Sequence, residues 1–236
     1  NNEDLDIFLT DLMEEYDINT DSLLKNVEAY SKERNNKNLG LIGSFSEPGW
    51  VELFRRLNAT PGGTHRLIKL RERIKLLLRD SSPHLKALDD GLLKLFRYWF
   101  NSSFLVLEKI DWSTPANVLE KIIEYEAVHE INSWNDLRAR LAPSDRQCFA
   151  FFHPLIPEDP LIFVEVALTN EIPTSIEKVI KINREEVQYN KINTAVFYSI
   201  SNCQDGLAGI SFGNFLIKKV AHRLKQEIPG LNKFVT

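Results

Sequence analysis

The stretch of this chain best equipped for chemistry starts in the apolar run TAVFYSI, crosses a loop with three glycines, and enters a helix ending near Glu227. At its centre stand Ala208, Gly209, Ile210, Ser211, Phe212, Gly213 and Asn214, reading AGISFGN. Glycines let a backbone turn with its N–H groups exposed and let a ligand come close. The positive end of the following helix completes an anion site, so the segment suits a phosphate or pyrophosphate. GLAGISFG does not satisfy G-x-G-x-x-G, and no acidic residue is placed to hold a ribose, so this is not a dinucleotide fingerprint. A nucleotide-triphosphate loop would require Gly-Lys-Ser/Thr, which is absent. Composition alone leaves a second reading equally open, a tight turn whose glycines serve packing.

Other reactive side chains carry less. His153, in FFHP, reads as a buried imidazole bonded to backbone, while His65, His84, His129 and His222 fall on expected exposed faces of helices. Cys148 and Cys203 lie in or beside apolar strand-like runs, far apart and in no metal-ligand spacing, and read as small buried hydrophobes. Lys218, Lys219 and Arg223 are placed to meet a phosphate, although a solvated helix face explains them as well. Glu158 and Asp159 sit in a proline turn without an apolar pocket signal, so they give no paired-carboxylate chemistry.

The first hundred residues read as helices. One spans residues 3–15, with Leu5, Phe8, Leu9 and Leu12 on one face. A second covers 21–34, capped by Thr20 or Asp21. Pro48 sits in the expected first turn of WVELFRRL. After the break TPGGT, Leu67, Leu70, Ile74 and Leu77 recur at helical spacing. Ser82-Pro83 opens the next helix, striped by Leu85, Leu88, Leu92, Phe96 and Trp99. All these stripes read as core packing.

The pattern changes at Asn101-Ser102-Ser103. FLVLEKID predicts a strand, and Ser113-Thr114-Pro115 a helix with Leu119, Ile122, Ile123 and Ala127 inward. Ser133 caps WNDLRARL, and CFAFFH and LIFVEVAL follow as strands around the turn LIPEDP. LIFVEVAL and TAVFYSI are nearly uninterrupted apolar runs, as strands covered on both faces require. IPTSIEKVIKI between them reads as a helix, and Phe212, Leu216, Val220 and Leu224 mark the inward face of the last one.

Charge and composition limit the partners. The net charge is −4 at pH 7 and the isoelectric point near 5.8, which argues against nucleic acid or an anionic membrane as the main partner. No apolar run reaches the roughly 18 residues of a spanning helix. The acidic start NNEDLDIFL matches neither a secretory signal nor a transit peptide, and two unpaired cysteines fit a reducing, cytoplasm-like compartment. Residue 1 is Asn, Met13 is the only methionine, and NKFVT reads as a strand just opening, so the chain is expected to be a piece of a longer protein.

Four runs carry a resemblance to a known family. They are CFAFFHPLIPEDPLIFVEVALT, AVFYSISNCQDGLAGISFGNFLIKK, RRLNATPGGT (residues 55–64) and FLVLEKIDWSTPANVLEKIIEYEAVHEI (residues 104–131). Together they resemble the malonyl-coenzyme A decarboxylases across nearly the whole chain. The order of elements from residue 104 onward is similar to the Gcn5-related N-acetyltransferase (GNAT) fold. The resemblance implies an α+β chain, with an all-helical N-terminal domain (1–103) followed by the N-terminal part of a GNAT-like, acyl-CoA-binding mixed sheet with helices (104–236). In that fold a loop of the form Gln/Arg-x-x-Gly-x-Gly/Ala holds coenzyme A pyrophosphate by backbone amides, and residues 208–214 would take its place. Two positions depart from the pattern, with Ala208 where Gln or Arg is common and Ser211 where a middle glycine would stand.

The implied reaction converts malonyl-CoA to acetyl-CoA and carbon dioxide through a thioester enolate. The enzyme must stabilise that oxyanion and then protonate carbon. The thioester is itself the electron sink, so neither metal nor organic cofactor is implied. The family's serine and histidine, in motifs like L-S-P-I-P-G-F and N-F-H, are expected beyond Thr236, and no catalytic residue is assigned here. The expected partners are malonyl-CoA, the C-terminal half of the same protein and a second copy joined through the helical domain. A bacterial-like cytoplasmic location is expected, with mitochondrial or peroxisomal forms open. A GNAT-type acyltransferase and a non-catalytic CoA-binding or oligomerisation module are the alternatives.

Overall fold

The computed structural model describes residues 2–78, 83–181 and 184–236. Two compact units form, Asn1–Phe96 and Arg97–Thr236, and each is described by itself.

The first unit is helical. α1 (Asn2–Glu15) buries Leu9 and Met13, and α2 (Thr20–Lys32) is capped by Asn19, whose side chain accepts from the Ser22 amide at 2.9 Å. Asn19 therefore takes the role expected of Thr20 or Asp21. α3 (Asn36–Phe45) was not apparent in the sequence, because Gly40 and Gly43 weaken its helical signal. It starts where Asn35 accepts from the Asn38 amide at 2.8 Å. Pro48 occupies the cap of α4 (Gly49–Asn58) rather than its first turn, and α4 turns Trp50, Val51 and Phe54 into the core. α5 (Gly63–Leu77) and α6 (Pro83–Trp99) complete the unit, with Ser82 outside the described residues. On α5, Ile68 and Arg71 are buried while Leu70 and Leu77 are only half-buried. Arg71 is held by Asp89 of α6 at 2.7 Å, so its charge stays paired inside.

The second unit is a five-stranded sheet in the order β1 (Val106–Ile110), β2 (Arg146–Phe152), β3 (Ile162–Thr169), β4 (Thr194–Asn202), β5 (Lys233–Val235). The first four pair antiparallel in sequence order, and β5 runs parallel to β4 from Thr194↔Lys233 to Val196↔Val235. β3 and β4 are buried along almost their whole length, as their apolar runs predict. On one face, α7 (Ala116–Tyr125) and α8 (Trp134–Leu141) set Leu119, Ile122 and Leu137 against Cys148, Ala150, Phe152 and Phe163. Side chains alternate along a strand, so Phe149 and Phe151 face the other way. There α10 (Gly213–Glu227) stacks Phe215 on Phe151 at 5.4 Å and lays Arg223 over Phe149 at 5.3 Å. α9 (Ile176–Ile180) is shorter than IPTSIEKVIKI predicts, and Ile182 lies outside the described residues. Ala127 is exposed rather than inward, because α7 stops at Tyr125 and Glu126 turns the chain away in extended geometry.

Register slips once, where Glu165 pairs with Ser199 and Val166 with Phe197, leaving Tyr198 as an extra residue on β4. Such a bulge re-aims side chains locally. It turns Tyr198 toward the face where Val196, Ala167 and Val179 pack, the same face that carries Glu165 and Ser199.

In the helical unit, Gly91 of α6 lies against Trp50 of α4, and a Cβ there would stand 2.2 Å from the Trp50 ring. Trp50 is only 5% exposed and has little room to retreat. Gly91→Ala is expected to cost about 1–3 kcal/mol by overpacking, read as a lower urea midpoint of unfolding.

Candidate functional site

β4 hands the chain to α10 through a loop that is held at its start. The Cys203 amide donates to the Leu161 carbonyl at 3.0 Å, and the Gln204 side-chain amide donates to the Pro160 carbonyl at 3.3 Å. A 3-10 turn over Asp205–Leu207 follows, and the Ile210 amide donates back to Leu207 at 3.1 Å. Gly209 then adopts φ +92°, a conformation that side chains with a Cβ rarely take. Phe212 is buried and packs the loop down, so the helix opens at Gly213 rather than at Phe212. No side chain caps α10. The first-turn amides of Gly213, Asn214 and Phe215 therefore have no intrahelical acceptor, and the dipole of a 15-residue helix adds positive potential there.

Beside this mouth lies a cavity of about 240 Å³, walled among others by Leu161, Gln204, Ala208, Gly209, Phe212 and one carboxylate, that of Asp205. Gln204 is 3% exposed, and its Oε1 is buried without a hydrogen-bond partner, so one acceptor in the wall awaits a donor. The Arg97 guanidinium reaches the Gly209 carbonyl at 3.5 Å and adds positive charge on the same side. Exposed backbone donors, a helix N-terminus and a guanidinium make an arrangement for a phosphate-bearing ligand, with a neighbouring acceptor for a ligand N–H or O–H.

All seven residues singled out in the sequence come together here. Ala208, Gly209, Ser211 and Asn214 are exposed, Ile210 and Gly213 are half-buried, and Phe212 is inside. A Cβ on Gly213 would point at Ile162 and Ile200 in ordinary contact, at 3.8 and 4.0 Å, so close packing does not require glycine there. Arg97 escaped the sequence reading because it lies 112 residues away in the chain. Gln204 carried only the weak signal of a polar residue directly after a buried strand. Among the helix-borne cations, Arg223 is paired with Glu227 at 2.8 Å and Lys219 sits over the Phe215 ring at 5.4 Å.

A second polar group lies under β4. The Glu126 carboxylate accepts from the Ser199 hydroxyl at 2.7 Å and from the Val128 and His129 amides at 2.9 and 2.8 Å. Arg140 donates to Glu165 at 2.8 Å and to the His129 carbonyl at 2.7 Å. Burial pushes the Glu165 carboxyl up to about 7 against the pull of Arg140, and its Oε1 has no hydrogen-bond partner. A glutamate inside the apolar run LIFVEVAL was the signal that could have revealed this group, since a buried charge demands a partner. His129 is not on an exposed helix face, as the sequence reading has it. It sits in the turn after α7, half-buried, with its ring 6.2 Å from that of Tyr198.

The remaining candidates are structural. His153 is 6% exposed, with Nε2 3.1 Å from the Trp99 carbonyl, and burial lowers its pKa. Cys148 and Cys203 are buried free thiols, both pushed well up by burial. Asp159 pairs with Lys121 at 2.5 Å. Among the described residues, no cluster of three or more His, Cys, Asp or Glu is placed to hold a metal ion, and no helix is long and apolar enough to cross a membrane.

A helical unit followed by a mixed sheet whose fourth strand opens onto a glycine turn and a helix mouth defines an α+β protein. The chain belongs to the malonyl-CoA decarboxylase family: the C-terminal domain of that family matches residues 103–236 and the N-terminal domain residues 16–100. The mitochondrial malonyl-CoA decarboxylases of Anser anser anser and Rattus norvegicus are 39% and 38% identical over 79% of this chain. The chain spans only 38% and 39% of their lengths. The crystal structure of malonyl-CoA decarboxylase from Agrobacterium vitis superposes with a TM-score of 0.94 at 48% identity, over 99% of this chain and 56% of that one. The enzyme from Rhodopseudomonas palustris gives 0.89 at 49% identity, over 96% and 55%.

The two loop glycines are expected to respond differently to a methyl group. Gly209→Ala forces a side chain into a positive-φ conformation and should cost about 1–3 kcal/mol. Gly213→Ala has room for its Cβ and a better helix former at the helix start, so it should be neutral or stabilising by up to about 1 kcal/mol. Urea unfolding of the two variants side by side checks this.

Proposed function

We propose that this protein takes part in the decarboxylation of malonyl-CoA to acetyl-CoA and carbon dioxide, and that residues 208–214 hold the coenzyme A diphosphate. One observation carries the reading. Within a chain of the malonyl-CoA decarboxylase family, the glycine loop and the uncapped mouth of α10 present backbone donors beside a cavity open to a ligand. Backbone donors need no particular side chain, so Ala208 and Ser211 are compatible with the role.

In the reaction the bond between the carboxyl carbon and Cα breaks, and its electron pair passes into the thioester as an enolate. Carbon dioxide leaves, and Cα then takes a proton. The thioester accepts the charge, so the reading invokes no metal or organic cofactor. The serine and histidine motifs that the resemblance assigns to this chemistry are not among residues 1–236. The contribution assigned to this chain is to bind the carrier and to direct its acyl end along β4.

The helical unit supports assembly with a second copy. α2 and α3 contribute no buried residue, while Leu24, Val27, Leu39 and Phe45 stand exposed on them. Large exposed apolar patches on a helical surface mark interfaces. The two free, buried cysteines fit a reducing, cytoplasm-like compartment.

Release of radiolabelled carbon dioxide from carboxyl-labelled malonyl-CoA tests the activity on the full-length gene product. Release well above background, with acetyl-CoA formed in equal amount, is expected. Acyl transfer to an amine with no carbon dioxide would overturn the reading.

A further inference from the structure

We propose that Glu126, Arg140 and Glu165 form a proton-operated latch, which holds the turn 126–130 on the sheet while Glu165 carries a proton and loosens it when that proton leaves. The latch lies within the second unit and needs no coenzyme.

Charged side chains hold both the amides and the carbonyls of this turn. The Glu126 carboxylate accepts from the Val128 and His129 amides at 2.9 and 2.8 Å, and Arg140 donates to the His129 and Glu130 carbonyls at 2.7 and 3.1 Å. Both groups are tied to strands as well. Glu126 accepts from Ser199 and Ser201 of β4, and Arg140 donates to Glu165 of β3 at 2.8 Å. The three side chains therefore clamp one turn to the middle of the sheet.

One guanidinium serves two carboxylates here. With all three groups charged, two negative charges face one positive, where Glu165 is 0% exposed and Glu126 and Arg140 are each 8% exposed. The Glu165 Oε1 has no hydrogen-bond partner among the described residues, so an ionised carboxylate would keep one oxygen without a donor and without water. A proton on Glu165 removes the excess charge. Burial accordingly pushes this carboxyl up to about 7, against the pull of Arg140. Glu126 and Arg140 lie just under the surface, so a small outward movement of the turn lets water reach the group and relieves the ionised form.

The other neighbours of Glu165 supply no second partner for its charge. On β2 these are Cys148, directly across, and Arg146 two residues before it. The Arg146 guanidinium donates to the Asp145 and Val179 carbonyls, and its ion-pair partner is Asp145 at 3.5 Å, which Arg184 shares. On β4 they are Tyr198 and Ser199. Burial holds the Cys148 thiol and the Tyr198 phenol well above their ordinary values, so both stay neutral. α9 packs Ile176, Val179 and Ile180 against the same face. The last titratable neighbour is His129 itself, its ring 6.2 Å from that of Tyr198. The closed turn thus favours protonated Glu165. Its hold is fullest below the ordinary carboxyl value of 4.5 and is lost as pH rises through about 7.

Hydrogen exchange of the Val128 and His129 amides in the full-length gene product tests the latch, read as protection factors so that the intrinsic rate cancels. Between about pH 5.5 and about pH 7.5, protection is expected to fall roughly tenfold or more, as loss of one proton on opening predicts. In Glu165→Gln, which cannot ionise, the fall should shrink to within about twofold, whereas in His129→Gln it should persist. Infrared difference spectra of the parent protein give a readout that needs no variant. A carboxylic-acid carbonyl band is expected near neutral pH and should disappear as pH is raised. Equal protection at both pH values, the same fall in Glu165→Gln, its loss in His129→Gln, or a fall shared equally by β2 and β3 would overturn the latch. Should Glu165→Gln fail to fold, absence of the acid band from the parent would overturn it instead.

Discussion

β4 is a strand buried on both faces, and its chain must emerge at the surface within a few residues to start α10. That transition is the constraint on which the site depends. The Leu161 and Pro160 carbonyls hold the start of the loop, Gly209 makes the reversal at positive φ, and Phe212 anchors the far side in the core. Because Phe212 and not a polar residue occupies the cap, the first amides of α10 have no side-chain acceptor. A serine or aspartate at that position would stabilise the helix by accepting from those amides.

The same strand organises the opposite face of the sheet. The bulge at Tyr198 brings Tyr198 and Ser199 to one side, where Glu126, Arg140 and Glu165 form a buried polar group. Such a group is costly unless its members satisfy one another, and in return it fixes a unique geometry. Here the geometry fixed is that of the turn carrying His129.

Much of this was legible in the residues. The apolar runs LIFVEVAL and TAVFYSI specify strands covered on both sides, Ser133 specifies the start of α8 by accepting from the Asp136 amide, and AGISFGN marks the turn. What escaped depends on groups distant in sequence or on weak local signals. α3 contains two glycines and buries no residue, and its start is marked only by the Asn35 cap. His129 read as a helix-face residue because the helical spacing through Ala127 does not show that Glu126 leaves the helix to bind β4. Arg97 and Gly209 are 112 residues apart and meet only through the tertiary fold.

Hydrogen exchange on the full-length protein, with and without saturating acetyl-CoA, tests the central claim most directly. If the loop amides hold the diphosphate, protection will concentrate in residues 209–215, where amides without intrahelical acceptors gain a ligand oxygen. Binding detected by calorimetry with unchanged exchange across residues 209–215 would contradict the account and place the coenzyme elsewhere.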